Sequence, residues 1–459
     1  MDLVIRGASA LVWDWSAEPI ANGWIAVEDG RVAAIGSGEP PRAGEVVDAK
    51  DCLVLPGFVA AHHHLTQGVS RGVNVEGGLI PWLAVHYDAW SRMTPDDVRQ
   101  AALVSLTQLA LGGATAVAAF EYLHPVGEDF VQPVVAAAEL VGLRLLYVRG
   151  CAPRLEGPLA QVLAERGVDL GRLIEPEEEA LRRTDDVLGR PTNDRLHWAC
   201  GPTTPVLDDG GDFHRRLQAI ATRHGVGMHT HFHPLPNSLL DGETAADLAR
   251  RVGLLSPGNW FAHGSRLTPQ DVAALGKADV GVVHNPSCSL LLGYPVVPLA
   301  EWSAVNSRVA VSVDGAASND RGSMLVEAQL AWQAQRAFLS QGRTVLEPSE
   351  VMALATTGGA RTMGWPELGS LAEGGPADLA VVDLRDVDFA GIPTSALRDP
   401  AAVLMRSVSG TRVRDLLVGE RFAVRDGRVL GVDVAAVHSA ARSAADRLYP
   451  DGASPALHG

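Results

Sequence analysis

The chain lacks what would tie it to nucleic acid, to an oxidising compartment or to a lipid surface. Its 459 residues carry 38 Lys and Arg against 54 Asp and Glu, a net charge of −16, so no basic patch is left over to neutralise phosphates. Cysteine is scarce: Cys52, Cys151, Cys200 and Cys288 stand far apart with no CxxC pair. That spacing supports neither a disulfide framework nor a thiolate zinc cage, and it leads us to expect free buried thiols in a reducing cytoplasm. The beginning, Met1-Asp-Leu-Val-Ile-Arg6, has neither the basic region nor the apolar run of a signal peptide, so secretion is not expected. No GxGxxG follows any strand-like run, which argues against a doubly wound nucleotide-binding sheet.

One stretch is long enough to span a bilayer, since Ala101 to Phe120 is free of charge over twenty residues. Gly112-Gly113 divides it. Before the pair, Thr94-Pro-Asp-Asp-Val98 offers an N-cap and an acidic first turn for a helix; after it, Ala114-Thr-Ala-Val-Ala-Ala119 reads as a strand. A buried helix followed by a buried strand is therefore expected, and no membrane partner. With 47% hydrophobic and 20% charged residues, the composition is that of a globular chain with a large core.

What is present begins with Leu55-Pro-Gly-Phe-Val-Ala-Ala-His-His-His64. A strand alternates its side chains, so His62 and His64 converge on one point at its end. Three later apolar runs also end on groups able to bind a metal: Met228-His-Thr-His-Phe-His233, Trp260-Phe-Ala-His263 and Val309-Ala-Val-Ser-Val-Asp314. A lone core histidine or an Asp before Gly is an ordinary feature. Four such coincidences are not, and imidazole and carboxylate ligands with one position left for water are what hydrolytic metal catalysis requires. Zinc or iron, one divalent ion per chain, suits such a donor set better than magnesium.

Strand and helix alternate from about residue 53. The expected strands are 53–60, 114–120, 143–149, 195–200, 226–231, 259–263, 280–284 and 309–314, separated by amphipathic segments such as Phe213 to His224 and Thr268 to Lys277. Eight alternations imply a (β/α)8 TIM-type barrel, in which functional groups gather at the C-terminal strand ends, where His62, His64, His231, His263 and Asp314 all fall. Val27-Glu-Asp-Gly-Arg-Val32 is echoed by Val424-Arg-Asp-Gly-Arg-Val429, each an Asp-Gly hairpin, and Gly375-Pro-Ala-Asp-Leu-Ala-Val-Val-Asp383 reads as another strand. A small β-sandwich domain built from both termini, residues 1–56 and 367–459, is expected around a barrel of residues 57–366. From about Pro450 the composition is that of a frayed tail.

These residues resemble the amidohydrolase superfamily, in the branch of heterocycle deaminases, and in particular 8-oxoguanine deaminases and triazine hydrolases. The resemblance runs from Leu55-Pro-Gly-Phe58 through Ala61-His-His-His-Leu-Thr-Gln67 and Val313-Asp-Gly-Ala-Ala-Ser-Asn-Asp320 to Pro376-Ala-Asp-Leu379. It implies that His62, His64, His231 and Asp314 bind the metal, that His263 contacts substrate or the attacking water, and that Gln67 and Trp82 line a pocket for a ring. It implies a small nitrogen heterocycle, such as a purine, pterin or triazine, as substrate, and deamination as the reaction. A cytoplasmic homo-oligomer is expected.

Two departures stand out. Three positions after His231, where the branch carries the Glu that protonates the leaving group, this chain has Pro234. Proline carries no proton and fixes φ, so another donor is needed, for which His233, Glu121 and His86 are the candidates. In Asn285-Pro-Ser-Cys-Ser-Leu-Leu-Leu-Gly293, Ser289 replaces the usual Asn, and an altered pocket polarity is expected. The missing acid keeps two alternatives in view. Cyclic-amide hydrolysis, or displacement of a halide or sulfur group, is the first, because halide and thiolate leave without a proton. A non-catalytic metal-binding relative is the second.

Overall fold

Eight strands alternate with helices: β1 (Phe58–His63), β2 (Ala114–Glu121), β3 (Arg144–Cys151), β4 (Leu196–Pro202), β5 (His229–Phe232), β6 (Trp260–His263), β7 (Gly281–His284) and β8 (Val309–Val311). The computed structural model describes residues 1–73, 78–125, 127–155, 157–205, 212–234, 239–410 and 412–450, without the side chains of 157–159. Nearly every residue of these strands is buried. Burial on both faces explains why they read in the sequence as unbroken apolar runs rather than alternating ones.

The strands form two parallel sheets, β1-β2-β3-β4 and β5-β6-β7-β8, each in chain order. One closed ladder, as the alternation suggested, is not what is found. At the β4–β5 seam there is a single parallel bridge, Cys200 to Met228, and the His231 amide donates to Thr203 O at 3.2 Å. The two backbones approach so closely there that a Cβ on Gly201 would stand 1.6 Å from His229 O. At the opposite seam the Asp314 amide donates to His62 O at 3.2 Å, and Ser312 Oγ donates to the same oxygen at 2.9 Å.

Local signals place the connecting elements. The helix Pro95–Leu111 starts at a Thr94–Asp97 capping box with Pro at its first position. Gly113, at φ +87°, then turns the chain into β2. No helix among the described residues is long and apolar enough to cross a membrane. The helices Asp212–His224 and Pro269–Lys277 form where amphipathic spacing placed them.

Two further sheets come from the terminal segments, the first from the N-terminal segment alone and the second from both. One orders Arg31–Ser37, Gly23–Glu28, Leu3–Ala8 and Glu45–Asp48; the other orders Arg428–Val429, Arg421–Arg425, Asp415–Val418, Leu379–Asp383, Cys52–Pro56 and Ala10–Leu11. They share an apolar cluster in which Ile5, Ile25 and Val54 meet Leu379, Val381 and Leu417. In both Asp-Gly hairpins the two turn residues have positive φ, Asp29 and Gly30 at 49° and 69°, Asp426 and Gly427 at 48° and 72°, as a two-residue turn matched to strand twist requires. The expected strand 53–60 is in fact two, because the Gly57 amide bonds Asp378 O and hands the chain from the terminal sheet to β1. Arg144 at the start of β3 grips Asp378 through Nε and Nη2 at 2.7 and 2.9 Å, tying the same corner from the other side. The helix Val434–Leu448 leaves these sheets and packs on the helix Pro95–Leu111. The expected frayed tail beyond residue 450 lies outside the described residues.

Candidate active site

Strand alternation does what the sequence suggested at β1: His62 Nε2 and His64 Nε2 lie 3.1 and 3.3 Å from the same atom, Asp314 Oδ1. His231, near the end of β5, brings its Nε2 to 3.0 Å from His64 Nε2. All four side chains come from strand ends on opposite seams of the two sheets.

Hydrogen bonds behind the rings fix which nitrogen carries the proton. His64 Nδ1 faces Phe120 O and His231 Nδ1 faces Thr203 O at 2.9 Å. A carbonyl oxygen only accepts, so both Nδ1 atoms donate and both Nε2 atoms present lone pairs. The third ring is fixed through a relay. His229 Nδ1 donates to Trp260 O at 2.8 Å, which leaves His229 Nε2 to accept from His62 Nδ1 at 2.7 Å and His62 Nε2 bare. His62 Nε2 is accordingly a buried nitrogen without a hydrogen-bond partner.

Three lone pairs and a carboxylate oxygen therefore meet at one point with no proton between them. Left so, they repel; a cation turns each contact into an attraction. Burial disfavours the charged ring and pushes His62 down to about 4 and His231 well below the usual imidazole range, so both are neutral. At His64 the same burial is outweighed by Asp314 and Glu121, which raise it, so a bound cation takes the place of a proton there. The ligand atoms of His62, His64 and Asp314, of His62, His231 and His263, and of His263, Cys288 and Asp314 lie, within each trio, no more than 4.8 Å apart. These side chains can hold one divalent ion, and the three-nitrogen, one-oxygen set fits zinc or iron.

His263 is different in kind. Asn285 Nδ2 donates to its Nδ1 at 3.2 Å, which leaves the proton of the neutral ring on Nε2, so it offers an N–H where the other three offer lone pairs. It stands at φ +75° and Asp314 at φ +64°, left-handed conformations that cost non-glycine residues energy and turn both side chains inward.

Above these groups opens a cavity lined mostly by apolar side chains, as small-molecule sites are. Gln67 and Trp82 both line it, and one residue holds both: the Ala317 amide donates to Gln67 Oε1 at 3.2 Å, and Trp82 Nε1 donates to Ala317 O at 3.2 Å. A Cβ at Gly315 would fall 2.0 Å from Gln67 Oε1, so the glycine after Asp314 is needed to seat the amide. His233 lines the cavity too, stacked between His263 at 4.2 Å and Tyr294 at 4.5 Å, with a buried Nδ1 that has no partner.

A profile of the amidohydrolase family matches residues 53–414. The chain belongs to the amidohydrolase family. As a member it is a hydrolase acting on carbon–nitrogen bonds other than peptide bonds, and the resemblance read from the motifs holds. Among curated proteins, this amidohydrolase is 32% identical to an 8-oxoguanine deaminase of Pseudomonas aeruginosa, over 93% of its own length and 95% of that protein's. It is 30% identical to an isoxanthopterin deaminase from an unknown prokaryotic organism, over 88% and 87%. Among solved structures, an atrazine chlorohydrolase of Arthrobacter aurescens complexed with zinc superposes with a TM-score of 0.86 over 96% of this chain and all of that one; at 24% identity it shows the shared fold.

Three expectations about this amidohydrolase's site change. Glu121 is not among the residues lining the pocket: its carboxylate accepts from Leu65 N and Thr66 Oγ1, both at 2.6 Å, and so anchors the segment after β1. Burial raises its pKa. His86 is also turned away, bonded to Tyr449 and stacked on Trp90. Ser289 does not set the pocket's polarity, because its hydroxyl is spent on Ser265 Oγ at 3.0 Å; from the same segment it is Cys288 and Leu292 that face the cavity. The sequence reading missed Cys288, treated only as a buried thiol, and His229, whose i−2 spacing from His231 put it on the same strand face and was the available signal.

Proposed function

We propose that this amidohydrolase is a metal-dependent aminohydrolase that replaces an exocyclic amino group of a purine, pterin or triazine-like ring by oxygen from water, with release of ammonia. The observation that carries this is the meeting of three proton-free imidazole nitrogens and Asp314 at the base of a mostly apolar cavity. Similarity to deaminases of 8-oxoguanine and isoxanthopterin supports the substrate class.

In this reading His62, His64, His231 and Asp314 hold one zinc or iron ion, whose chemistry when bound is to make water nucleophilic at neutral pH. Asp314 accepts the proton of the attacking water, its Oδ2 steadied by Ser318 Oγ at 2.8 Å. His263 donates its Nε2 proton toward charge developing on the ring or the attacking oxygen. Gln67 and Trp82 hold the ring edge and face. His233 passes a proton to the departing amine. Burial drives its pKa to about 3, so the ring is neutral at rest and delivers a proton only after taking one up.

That low basicity, with Pro234 carrying no acid and Glu121 engaged elsewhere, favours a second reading, displacement of chloride or thiolate, which depart unprotonated, over both deamination and cyclic-amide hydrolysis, whose nitrogen leaving groups need a proton. Metal-loaded protein tested on amino-, chloro- and thio-substituted purines, pterins and triazines and on hydantoins, with ammonia, chloride, sulfide and ring-opened product assayed separately, decides between these readings. Ammonia supports the first; chloride, sulfide or ring-opened product without ammonia overturns it.

The same reading takes the two seams as parts of one closed (β/α)8 barrel of residues 57–366, and the two terminal sheets as a β-sandwich of residues 1–56 and 367–459. Contacts at both seams and the shared apolar cluster support it. It keeps the cytoplasmic location, supported by four buried free cysteines, and the homo-oligomer, for which Leu290 and Leu291, 42% and 61% exposed beside the pocket segment, offer apolar surface.

A further inference from the structure

The helix Leu79–Trp90 is a wall of the cavity, supplying Leu79, Ile80, Trp82, Leu83 and Tyr87. It starts without a side-chain cap, and its first turn is only half-buried, so its own start does little to hold it. The second wall element, the short turn Leu65–Val69, supplies Gln67. The two are fastened at one point. His86, one turn along from Trp82 and Leu83 on the same helix face but not itself lining the cavity, bonds the Tyr449 hydroxyl through Nδ1 at 2.8 Å; that hydroxyl donates to Ser70 Oγ at 2.9 Å, and Ser70 Oγ also accepts from Trp90 Nε1 at 2.9 Å. Ser70 follows directly on the turn that carries Gln67.

Tyr449 comes from the end of the helix Val434–Leu448, some 360 residues along the chain from its partners, and is itself held by Arg92 Nη2 donating to Leu448 O at 2.8 Å and by the Arg447–Asp97 ion pair. His86 is fully buried, tilted against Trp82 at 4.7 Å and stacked on Trp90 at 5.1 Å. Burial lowers it to about 3, so the ring is neutral and its single N–H is committed to Tyr449. A displaced His86 has nowhere else to put that proton except into an apolar stack.

We propose that the Tyr449 hydroxyl is a positioning group of the substrate pocket, locking the Trp82 wall to the Gln67 wall through His86 and Ser70. It touches neither substrate nor the reacting atoms. Losing it therefore loosens the walls that grip the ring and leaves the strand-end groups, which perform the chemistry, where they are. The inference rests on the proposed ring pocket, and its test has an arm that does not depend on turnover.

In metal-loaded Tyr449→Phe, which keeps the ring packing and removes only the hydroxyl, KM for the ring substrate should rise roughly tenfold with kcat within about twofold. Amide hydrogen exchange of the 79–90 segment should speed up, and Ser70→Ala should reproduce both effects in part. Arg144→Met, which breaks a buried ion pair far from this lock, should lower the melting temperature without changing KM. An unchanged KM in Tyr449→Phe, or a fall in kcat equal to the fall in kcat/KM, overturns the proposal. Should no substituted ring be turned over at all, the proposed function fails instead. The exchange measurement then decides alone, with unchanged 79–90 exchange in Tyr449→Phe and Ser70→Ala overturning the positioning role.

Discussion

Asp314 shows how much one side chain can be asked to do when its backbone is bent for the purpose. At φ +64° it takes Gly315 N on Oδ1 at 2.7 Å and Ser318 Oγ on Oδ2, while His62 and His64 face Oδ1. An amide in its place keeps the shape but cannot take up a proton. Asp314→Asn should thus leave the circular dichroism spectrum unchanged and reduce kcat by about 10²–10⁴; a fall of less than about tenfold would mean that another group is the base. His229 gives a second prediction. It contributes no ligand atom, yet it decides that His62 points a lone pair inward, and loss of such a partner typically weakens metal binding by about 10–100-fold. Competition with a chelator should show that weakening in His229→Ala, with metal still present at saturation. The spacing of His62, His64, His231 and Asp314 was legible in the sequence because strand periodicity is rigid. The protonation pattern was not, since it depends on Phe120, Thr203 and Trp260 carbonyls from other strands.

Elements that run straight were legible, and elements that turn were not. Seven of the eight strands fall within a few residues of where apolar runs placed them, the first being split at Gly57, and the suspected span at 101–120 resolves at Gly112-Gly113 into a capped helix and β2. The segment after β5 is the counter-example. His233, two residues beyond His231, would share its face in a continued strand, but β5 ends at Phe232, and stacking between His263 and Tyr294 holds His233 over the cavity instead. No pattern within 228–234 could reveal Tyr294, more than fifty residues away. Substitutions in this element sort the two chemistries. If an amine leaves, His233→Ala should slow turnover by about 10²–10⁴, Glu121→Gln should act mainly through the loosened 65–66 segment, and Pro234→Glu should partly restore His233→Ala. If an anion leaves, His233→Ala should turn over at close to the wild-type rate; single-turnover rates distinguish the cases.

For the whole molecule, the placement of the terminal sheets against the strands of the site depends on a buried charge pair. Arg144 and Asp378 are 4% and 1% exposed, and Asp378 also accepts from Gly419 N at 2.9 Å. Replacing Arg144 by Met leaves a carboxylate buried without its partner, which costs about 3–5 kcal/mol. Urea unfolding of Arg144→Met should show that loss, and replacing both residues by apolar ones should recover much of it. The sequence signalled both terminal sheets through the paired Asp-Gly hairpins, but it could not signal that the helix Val434–Leu448 would abandon them for the helix Pro95–Leu111, because that choice is made by Asp97 and Arg92 on a distant segment.

The account stands on the claim that His62, His64, His231 and Asp314 hold a metal ion because their partners leave them nothing else to hold. Metal content by inductively coupled plasma mass spectrometry, measured side by side on purified wild-type protein and His231→Ala, tests it most directly. One zinc or iron per chain in the wild type and a large loss in the variant is the predicted result; metal retained at one per chain in His231→Ala would contradict it.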